Sequence, residues 1–90
     1  MNRVIVYTKG GCPFCSLLKL ELKKRNITFE SVDLSDDTVR AKFYETSGKR
    51  TVPQLYITSD VTSQSSPTGI SLGGYSDISK NWNVLTDYLA

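Results

Sequence analysis

The two cysteines of this chain are the residues whose type and spacing can do chemistry. Cys12 and Cys15 are separated by Pro13 and Phe14, directly after a glycine pair. Two thiols at this spacing at the start of a helix are typical of thiol–disulfide exchange, in which one thiolate attacks a disulfide and the other resolves the intermediate. A structural disulfide and half of a metal site are the less favoured alternatives.

The local pattern predicts unequal roles for the two thiols. Pro13 suits the first position of a helix, because its missing N–H costs nothing there. Cys15 and Leu18 then fall on one apolar stripe, so Cys15 is predicted to face the core. Cys12 precedes the first turn, where free backbone N–H groups and a cation such as Lys9 stabilise a thiolate. We therefore predict Cys12 as the nucleophile and Cys15 as the resolving thiol.

The composition is that of an ordinary soluble globular domain. The chain has 90 residues, of which 39% are hydrophobic and 22% charged, and a formal net charge of +2. Because it contains no histidine, Cys–His catalysis and histidine metal sites are excluded, and zinc would need a second chain or carboxylates. The basic run Lys23-Lys24-Arg25 falls at a predicted helix end, where cations complement the helix dipole, so we expect no nucleic-acid partner.

The sequence also predicts where the chain works. Because no stretch is long and apolar enough for a signal peptide or a membrane span, we expect no membrane partner and a cytoplasmic location. In a reducing cytosol a close cysteine pair is usually catalytic or metal-binding. We expect a monomer without a tightly bound cofactor or metal.

The elements that must position the cysteines are predicted in the order β-α-β-α-β-β-α. Strands are expected over residues 3–8, 28–34, 51–58 and 70–72, from their β-branched and aromatic content. The first helix is expected to run from Pro13 to Asn26, and the second from Ser35 or Asp36 to Ser47-Gly48 with Val39 and Phe43 inward. The last is expected to start at Ser76 or Asp77, with Ile78, Trp82, Leu85 and Leu89 on one face.

A polar stretch over residues 59–69 separates the third and fourth predicted strands. Its single apolar residue is Val61. We predict an extended, solvated hairpin connection there, and the alternative is a partner-binding loop. With no repeat and no boundary along the chain, residues 1–90 are predicted to form one domain.

Three separated pieces of the sequence resemble the dithiol glutaredoxins in their order and approximate spacing. They are Cys12-Pro13-Phe14-Cys15, Thr51-Val52-Pro53-Gln54 and Gly73-Gly74-Tyr75-Ser76-Asp77. The resemblance implies an α/β chain with the thioredoxin fold, in which three helices flank a four-stranded mixed sheet. It also implies glutathione-dependent reduction of protein disulfides and glutathione mixed disulfides through a reversible disulfide between the two cysteines. Ribonucleotide reductase is one protein partner that the resemblance suggests.

The same resemblance implies which residues bind glutathione. Pro53 matches the cis-proline of the family, and Val52 offers its backbone groups to the cysteine part of glutathione. Without the resemblance, Pro53 is only a proline near a strand start and the glycine pair only a turn. Phe14 stands where a tyrosine is common. The full implied set is Lys9 and Arg50 near the glycine carboxylate or the thiolate, Tyr75 and Ser76 at the γ-glutamyl end, and Phe14, Thr51, Val52, Pro53 and Gly74.

Two rival functions stay open. One is a glutaredoxin-like electron donor that thioredoxin reductase, and not glutathione, recharges. The other is an iron–sulfur carrier, in which Cys12 of two chains and external glutathione hold a cluster. The monothiol proteins that specialise in this carriage have Gly and Ser where this chain has Pro13 and Cys15, which favours the oxidoreductase.

Overall fold

The computed structural model describes residues 3–58 and 69–89, and its elements follow the predicted order as far as the last helix. The strands are β1 Arg3–Thr8, β2 Phe29–Asp33, β3 Gln54–Thr58 and β4 Ile70–Gly73. The helices are α1 Pro13–Lys24, α2 Asp37–Ser47, α3 Tyr75–Ser79 and α4 Trp82–Leu89. The predicted hairpin extension at residues 59–69 lies, except for Gly69, outside the described residues.

The four strands form one mixed sheet in the order β2-β1-β3-β4. Strand β1 runs parallel to β2 and antiparallel to β3, which in turn pairs antiparallel with β4. Tyr7 near the end of β1 therefore lies opposite Gln54 at the start of β3, and Leu55 lies opposite Gly73 at the end of β4. Three segments thus meet at one end of the strands: the segment that follows β1, the one that precedes β3 and the one that follows β4.

Helices cover both faces of the sheet, so the core has two parts. Helices α1, α3 and α4 pack on one face, in a cluster of Val4, Val6, Leu18, Leu22, Leu55, Ile57, Ile78 and Leu85. Helix α2 packs on the other face through Phe43, in a cluster with Ile5, Tyr7, Leu34 and Tyr56. The apolar β1 run is buried after its first residue, as expected of a strand covered on both faces.

In helix α2 the predicted inward orientation is right for Phe43 and wrong for Val39. Phe43 is fully buried, and its ring stacks on Tyr7 with centroids 4.5 Å apart. The prediction for Val39 is wrong, because this side chain is 37% exposed. Phe43 is the buried residue of α2, so the helix meets the sheet there, and Val39, one turn earlier, lies beyond that contact.

The ends of α1 and α2 follow from local residues. After α1, Asn26 adopts a positive φ of 58°, which asparagine tolerates better than most residues. Asp36 caps α2 by accepting the backbone N–H groups of Thr38 at 2.9 Å and Val39 at 3.1 Å. Gly48 ends α2 in the left-handed conformation, with φ 73°. The predicted start of α1 and both predicted ends of α2 are therefore confirmed, whereas α1 ends at Lys24, two residues before Asn26.

The predicted single last helix is wrong, because two short helices replace it. The Asn81 side chain donates to the carbonyl of Asp77 at 3.0 Å, which is the acceptor that the Asn81 backbone N–H would use in a continuous helix. That N–H donates instead to Ile78 at 3.0 Å. In the described part of the chain, four helices therefore flank the sheet in place of the predicted three, although Ile78 and Leu85 still reach the same core cluster.

The third strand starts later than predicted. It begins at Gln54, after Thr51, Val52 and Pro53, because a proline has no N–H to pair with a neighbouring strand. In the part of the chain that is described, no helix has the length and apolar character needed to cross a membrane.

Two leucines of α1 give a matched test of this core. Leu18 is fully buried, whereas Leu20 is 49% exposed. We expect Leu18→Ala to lower the free energy of unfolding by about 2–5 kcal/mol, because it leaves a cavity under the sheet. Leu20→Ala should change it by less than about 0.5 kcal/mol. Urea denaturation of both variants checks this, and equal losses would contradict the packing described.

Candidate active site

Cys12 lies at the start of α1, as the sequence predicts. It is the N-cap residue, and its Sγ accepts the backbone N–H of Cys15 at 3.2 Å. The thiol also lies 3.7 Å from the carbonyl oxygen of Val52, to which it donates. Its sulfur therefore lies at the start of the helix, where an attacking thiol can meet a substrate disulfide. Cys12 is half-buried and remains within reach of solvent.

Cys15 is the buried member of the pair. It is 2% exposed, beside the core that Leu18 continues, so the predicted inward orientation is confirmed. Burial, and to a smaller extent the hydrogen bond with Cys12, raise the pKa of the Cys15 thiol to about 11, while the backbone N–H of Lys9 acts in the opposite direction. Both cysteines are free thiols in this structure. Cys15 is therefore protonated near neutral pH, and Cys12 is the accessible thiol.

The segment before β3 forms the second part of the site. The Val52–Pro53 peptide bond is cis, as the resemblance to the dithiol glutaredoxins implies for this proline. The buried Gln54 amide donates to the carbonyl oxygen and to the hydroxyl of Thr51, both at 3.1 Å. These two bonds fix Thr51 against the start of the strand, and so fix the approach of Val52 to Cys12.

The segment after β4 forms the third part, and its two glycines allow a close approach. Gly73 has a φ of 86°, and a Cβ there would lie 2.5 Å from the Asp77 carboxylate. A Cβ on Gly74 would lie 3.2 Å from the carbonyl oxygen of Pro53. The same Asp77 carboxylate accepts the Gly74 N–H at 3.1 Å. The glycine pair is thus a turn that brings the start of α3 against the segment before β3.

An aromatic contact joins the first and third parts. The rings of Phe14 and Tyr75 stack with centroids 5.8 Å apart and an interplanar angle of 30°. Phe14 is 58% exposed, so one face of this pair is open to solvent. The pair gives the site an apolar wall beside the cysteines.

A cleft of about 480 Å³ lies where the three parts meet. Of the residues that the sequence assigned to glutathione, those lining it are Phe14, Thr51, Val52, Pro53, Gly74, Tyr75 and Ser76. Lys9 and Arg50 are exposed and are not among the described residues that line it. Cys12 reaches its edge through the contact with Val52. The lining residues that the assignment missed are Lys49, Gln54, Gly73 and Asp77.

The missed residues differ in how they could have been found. Gln54, Gly73 and Asp77 belong to the three pieces that carry the resemblance. Each is next to a residue that was assigned to glutathione, so their position in the sequence could have indicated them. Lys49 is the neighbour of Arg50 between the end of α2 and the start of β3. Which of two adjacent cations faces the cleft depends on the backbone after Gly48, whose positive φ sets the direction of the chain.

Comparison with protein-family models identifies the family of this chain. The model described as glutaredoxin matches residues 4–61, which is more than half of the chain. The chain belongs to the glutaredoxin family. One relative, Glutaredoxin 1 of Rickettsia conorii, is 38% identical over 60 residues. This match covers 63% of the chain and 59% of the relative, so the chain spans less than two thirds of that glutaredoxin.

Solved glutaredoxin structures have the same fold over almost the whole chain. Glutaredoxin 1 from Francisella tularensis, complexed with cacodylate, is 27% identical with a TM-score of 0.74, covering 97% of this chain and 99% of that one. A buckwheat glutaredoxin in complex with glutathione is 21% identical with a TM-score of 0.73, covering 98% and 76%. The predicted thioredoxin fold is therefore confirmed.

The inequality of the two thiols predicts a selective alkylation. At about pH 8 a thiol whose pKa is about 11 is ionised to only about one part in a thousand. We expect iodoacetamide to label Cys12 and to leave Cys15 unlabelled until the pH approaches its pKa or the protein is unfolded. Peptide mass spectrometry of the labelled protein measures both sites. Comparable labelling of the two at this pH would contradict the burial of Cys15.

Proposed function

We propose that this chain is a thiol–disulfide oxidoreductase that takes electrons from glutathione. Its substrates are glutathione mixed disulfides and protein disulfides, and it works through a reversible disulfide between Cys12 and Cys15. The observation that carries the proposal is the unequal thiol pair at one edge of a cleft. Cys12 accepts a helix N–H and is within reach of solvent, while Cys15 lies buried beneath it.

The lining of the cleft supports glutathione as the ligand. Its volume of about 480 Å³ lies within the usual range for small-molecule sites, about 300–1,000 Å³. Val52 supplies backbone groups for an extended peptide, in the manner of strand addition. Lys49 supplies a cation for a carboxylate, and Tyr75 and Ser76 also line the cleft. The glutaredoxin family of the chain supports the same assignment.

Removal of a glutathionyl group needs only Cys12. Its thiolate attacks the glutathione sulfur of a mixed disulfide, forms a disulfide with it and releases the substrate protein as a thiolate. A second glutathione thiolate then attacks the glutathione sulfur on Cys12. Glutathione disulfide leaves, and the Cys12 thiolate is restored.

Reduction of a protein disulfide needs both cysteines. Cys12 attacks one sulfur of the substrate, and Cys15 then attacks Cys12, which closes the disulfide of the pair and releases the reduced substrate. The hydrogen bond and the charge of Cys12 both help to raise the pKa of Cys15. Once Cys12 is bound in a mixed disulfide, that contribution is lost, so the pKa of Cys15 falls when its thiolate is required. Two glutathione molecules return the pair to the thiol state.

Two cysteine variants test these roles. Cys12→Ser should lower turnover of a glutathionylated substrate by at least about a thousandfold, because a hydroxyl is a far poorer nucleophile than a thiolate. Cys15→Ser should keep this activity and lose reduction of protein disulfides. An assay coupled to glutathione and glutathione reductase measures both.

Further measurements separate the proposed function from its two rivals, the thioredoxin-reductase-dependent electron donor and the iron–sulfur carrier. Activity with thioredoxin reductase but none with glutathione would reverse the proposal in favour of the alternative electron donor. A visible chromophore after anaerobic reconstitution with iron and sulfide would support the iron–sulfur carrier. Loss of deglutathionylation in Cys15→Ser alone would exchange the two assigned roles.

Two adjacent cations test how glutathione is bound. We expect Lys49→Ala to raise KM for a glutathionylated peptide up to about fivefold with little change in kcat, because an exposed ion pair contributes at most about 1 kcal/mol and is used equally in the ground and transition states. Arg50→Ala is the matched control and should leave KM unchanged. Steady-state kinetics of both variants decide the point, and the reverse result would return the cation role to Arg50.

We further propose that the chain acts in the cytoplasm as a monomer. Its proposed partners are disulfide-containing or glutathionylated proteins, of which ribonucleotide reductase is one candidate.

A further inference from the structure

One side chain ties the irregular segment before β3 to the sheet. Gln54 is the first residue of β3, is 4% exposed and pairs with Tyr7 of β1. Its side-chain amide donates back along the chain, to the carbonyl oxygen and to the hydroxyl of Thr51, both at 3.1 Å. One end of this link is therefore fixed by strand pairing, and the other end holds Thr51, which is exposed.

The partners of the amide determine its orientation. A carbonyl oxygen only accepts hydrogen bonds, so the NH₂ group of Gln54, and not its oxygen, must face Thr51. The Gln54 amide oxygen is buried and has no hydrogen-bond partner in the described part of the chain. An unpaired buried acceptor disfavours the folded state, and an apolar side chain of similar length would not have one. Stability alone therefore does not account for a glutamine here, whereas its two donors do.

The residue that the amide holds is the neighbour of the backbone that meets Cys12. The Val52 carbonyl oxygen lies 3.7 Å from the Cys12 sulfur, and Val52 lines the cleft. On the other side of Val52, the carbonyl oxygen of Pro53 would lie 3.2 Å from a Cβ on Gly74, so these two residues are closely packed. Val52 thus lies between two held positions, Thr51 and Pro53.

The position of Val52 matters for one class of disulfide more than for another. A peptide that adds to Val52 as a strand needs the backbone groups of this residue in a fixed direction. A small disulfide without a peptide backbone, such as dithiobis(nitrobenzoate), meets the Cys12 sulfur without that pairing. A side chain that fixes the segment around Val52 therefore acts on the choice between the two classes.

We propose that Gln54 is a positioning residue that gives the site a preference for disulfides with a peptide backbone over small disulfides that lack one. It acts through Thr51, by holding the backbone of Val52 where the cysteine part of a glutathionyl group can pair with it. The inference rests on the proposed function in taking Cys12 as the attacking thiol and Val52 as the backbone that pairs with glutathione.

Two reactions of Cys12 measure this preference. In the first, a glutathionylated peptide is turned over in the assay coupled to glutathione and glutathione reductase, which gives kcat and KM. In the second, the Cys12 thiolate attacks one sulfur of dithiobis(nitrobenzoate), forms a mixed disulfide and releases one coloured nitrothiobenzoate, which stopped-flow absorbance follows. The preference is kcat/KM for the peptide divided by the rate constant of this first release.

We expect Gln54→Met, which removes both donors and keeps the length of the side chain, to lower the preference about fivefold, the effect of losing one hydrogen bond. The loss should appear as a higher KM with little change in kcat, because pairing with Val52 is used equally in the ground and transition states. Thr51→Val removes only the hydroxyl bond and should lower the preference about twofold. The double variant should be no worse than Gln54→Met, in which that bond is already lost.

Asp36→Ala is the matched control. Asp36 also makes two hydrogen bonds through one side chain, but they cap α2, and Asp36 is not among the described residues that line the cleft. This variant should leave the preference unchanged. Because Thr51 is exposed, Thr51→Val provides the test if Gln54→Met does not fold.

The outcomes separate this inference from the proposed function. An unchanged preference in Gln54→Met, or in Thr51→Val where only that variant folds, would overturn the inference and leave the proposed function intact. An equal loss in Asp36→Ala, a fall in kcat at constant KM, or additive losses in the double variant would do the same. Failure of the unsubstituted protein to turn over the glutathionylated peptide would overturn both. A loss through KM that is not additive with Thr51→Val would support the role of Gln54.

Discussion

The site depends on one topological constraint, which is that β3 runs antiparallel to both of its neighbours. Tyr7 pairs with Gln54 and Leu55 pairs with Gly73 across these strands, so three segments that are distant in sequence meet at one end of the strands. If β3 ran parallel to β1, its first residues would lie at the opposite end of the strands, away from Cys12. The direction of β3 therefore places the segments that form the cleft, and the side chains then line it.

Within that frame, a single helix turn makes the two thiols unequal. Its first residues have free N–H groups, one of which Cys12 accepts, while the helical repeat turns Cys15 toward the sheet. The difference in burial and exposure between the two thiols thus follows from the helix alone. Burial alone accounts for the largest part of the raised pKa of Cys15.

Features that arise from local periodicity could be predicted, and features that arise from competition between groups could not. The start of α1, the burial of Cys15 and the caps Asp36 and Gly48 each follow from a few neighbouring residues. The break at Asn81 depends on a side chain taking the place of its own backbone N–H at the Asp77 carbonyl. Nothing in the spacing of apolar residues reveals such an exchange.

The site divides in the same way. The three sequence pieces that carry the resemblance do converge, and most of the residues assigned from them line one cleft. The assignments that differ are Lys9 and Arg50, two exposed cations on irregular segments, where no repeat fixes the direction of a side chain. Lys49 lines the cleft in place of its neighbour, for a reason that lies in the backbone geometry after α2.

The spacing of the two cysteines has a consequence for the oxidised protein as a whole. A disulfide between Cys12 and Cys15 would close a ring of only four residues, so by the loop-closure account it would restrict the unfolded chain by about 2 kcal/mol, against almost 5 for a loop of about 100 residues. Oxidation would therefore stabilise the fold by less than half as much as a cross-link that spans the whole chain. The dithiol and disulfide forms of such a pair therefore differ less in folding stability than those of a long-range cross-link. A pair of this kind suits reversible electron transfer better than permanent stabilisation.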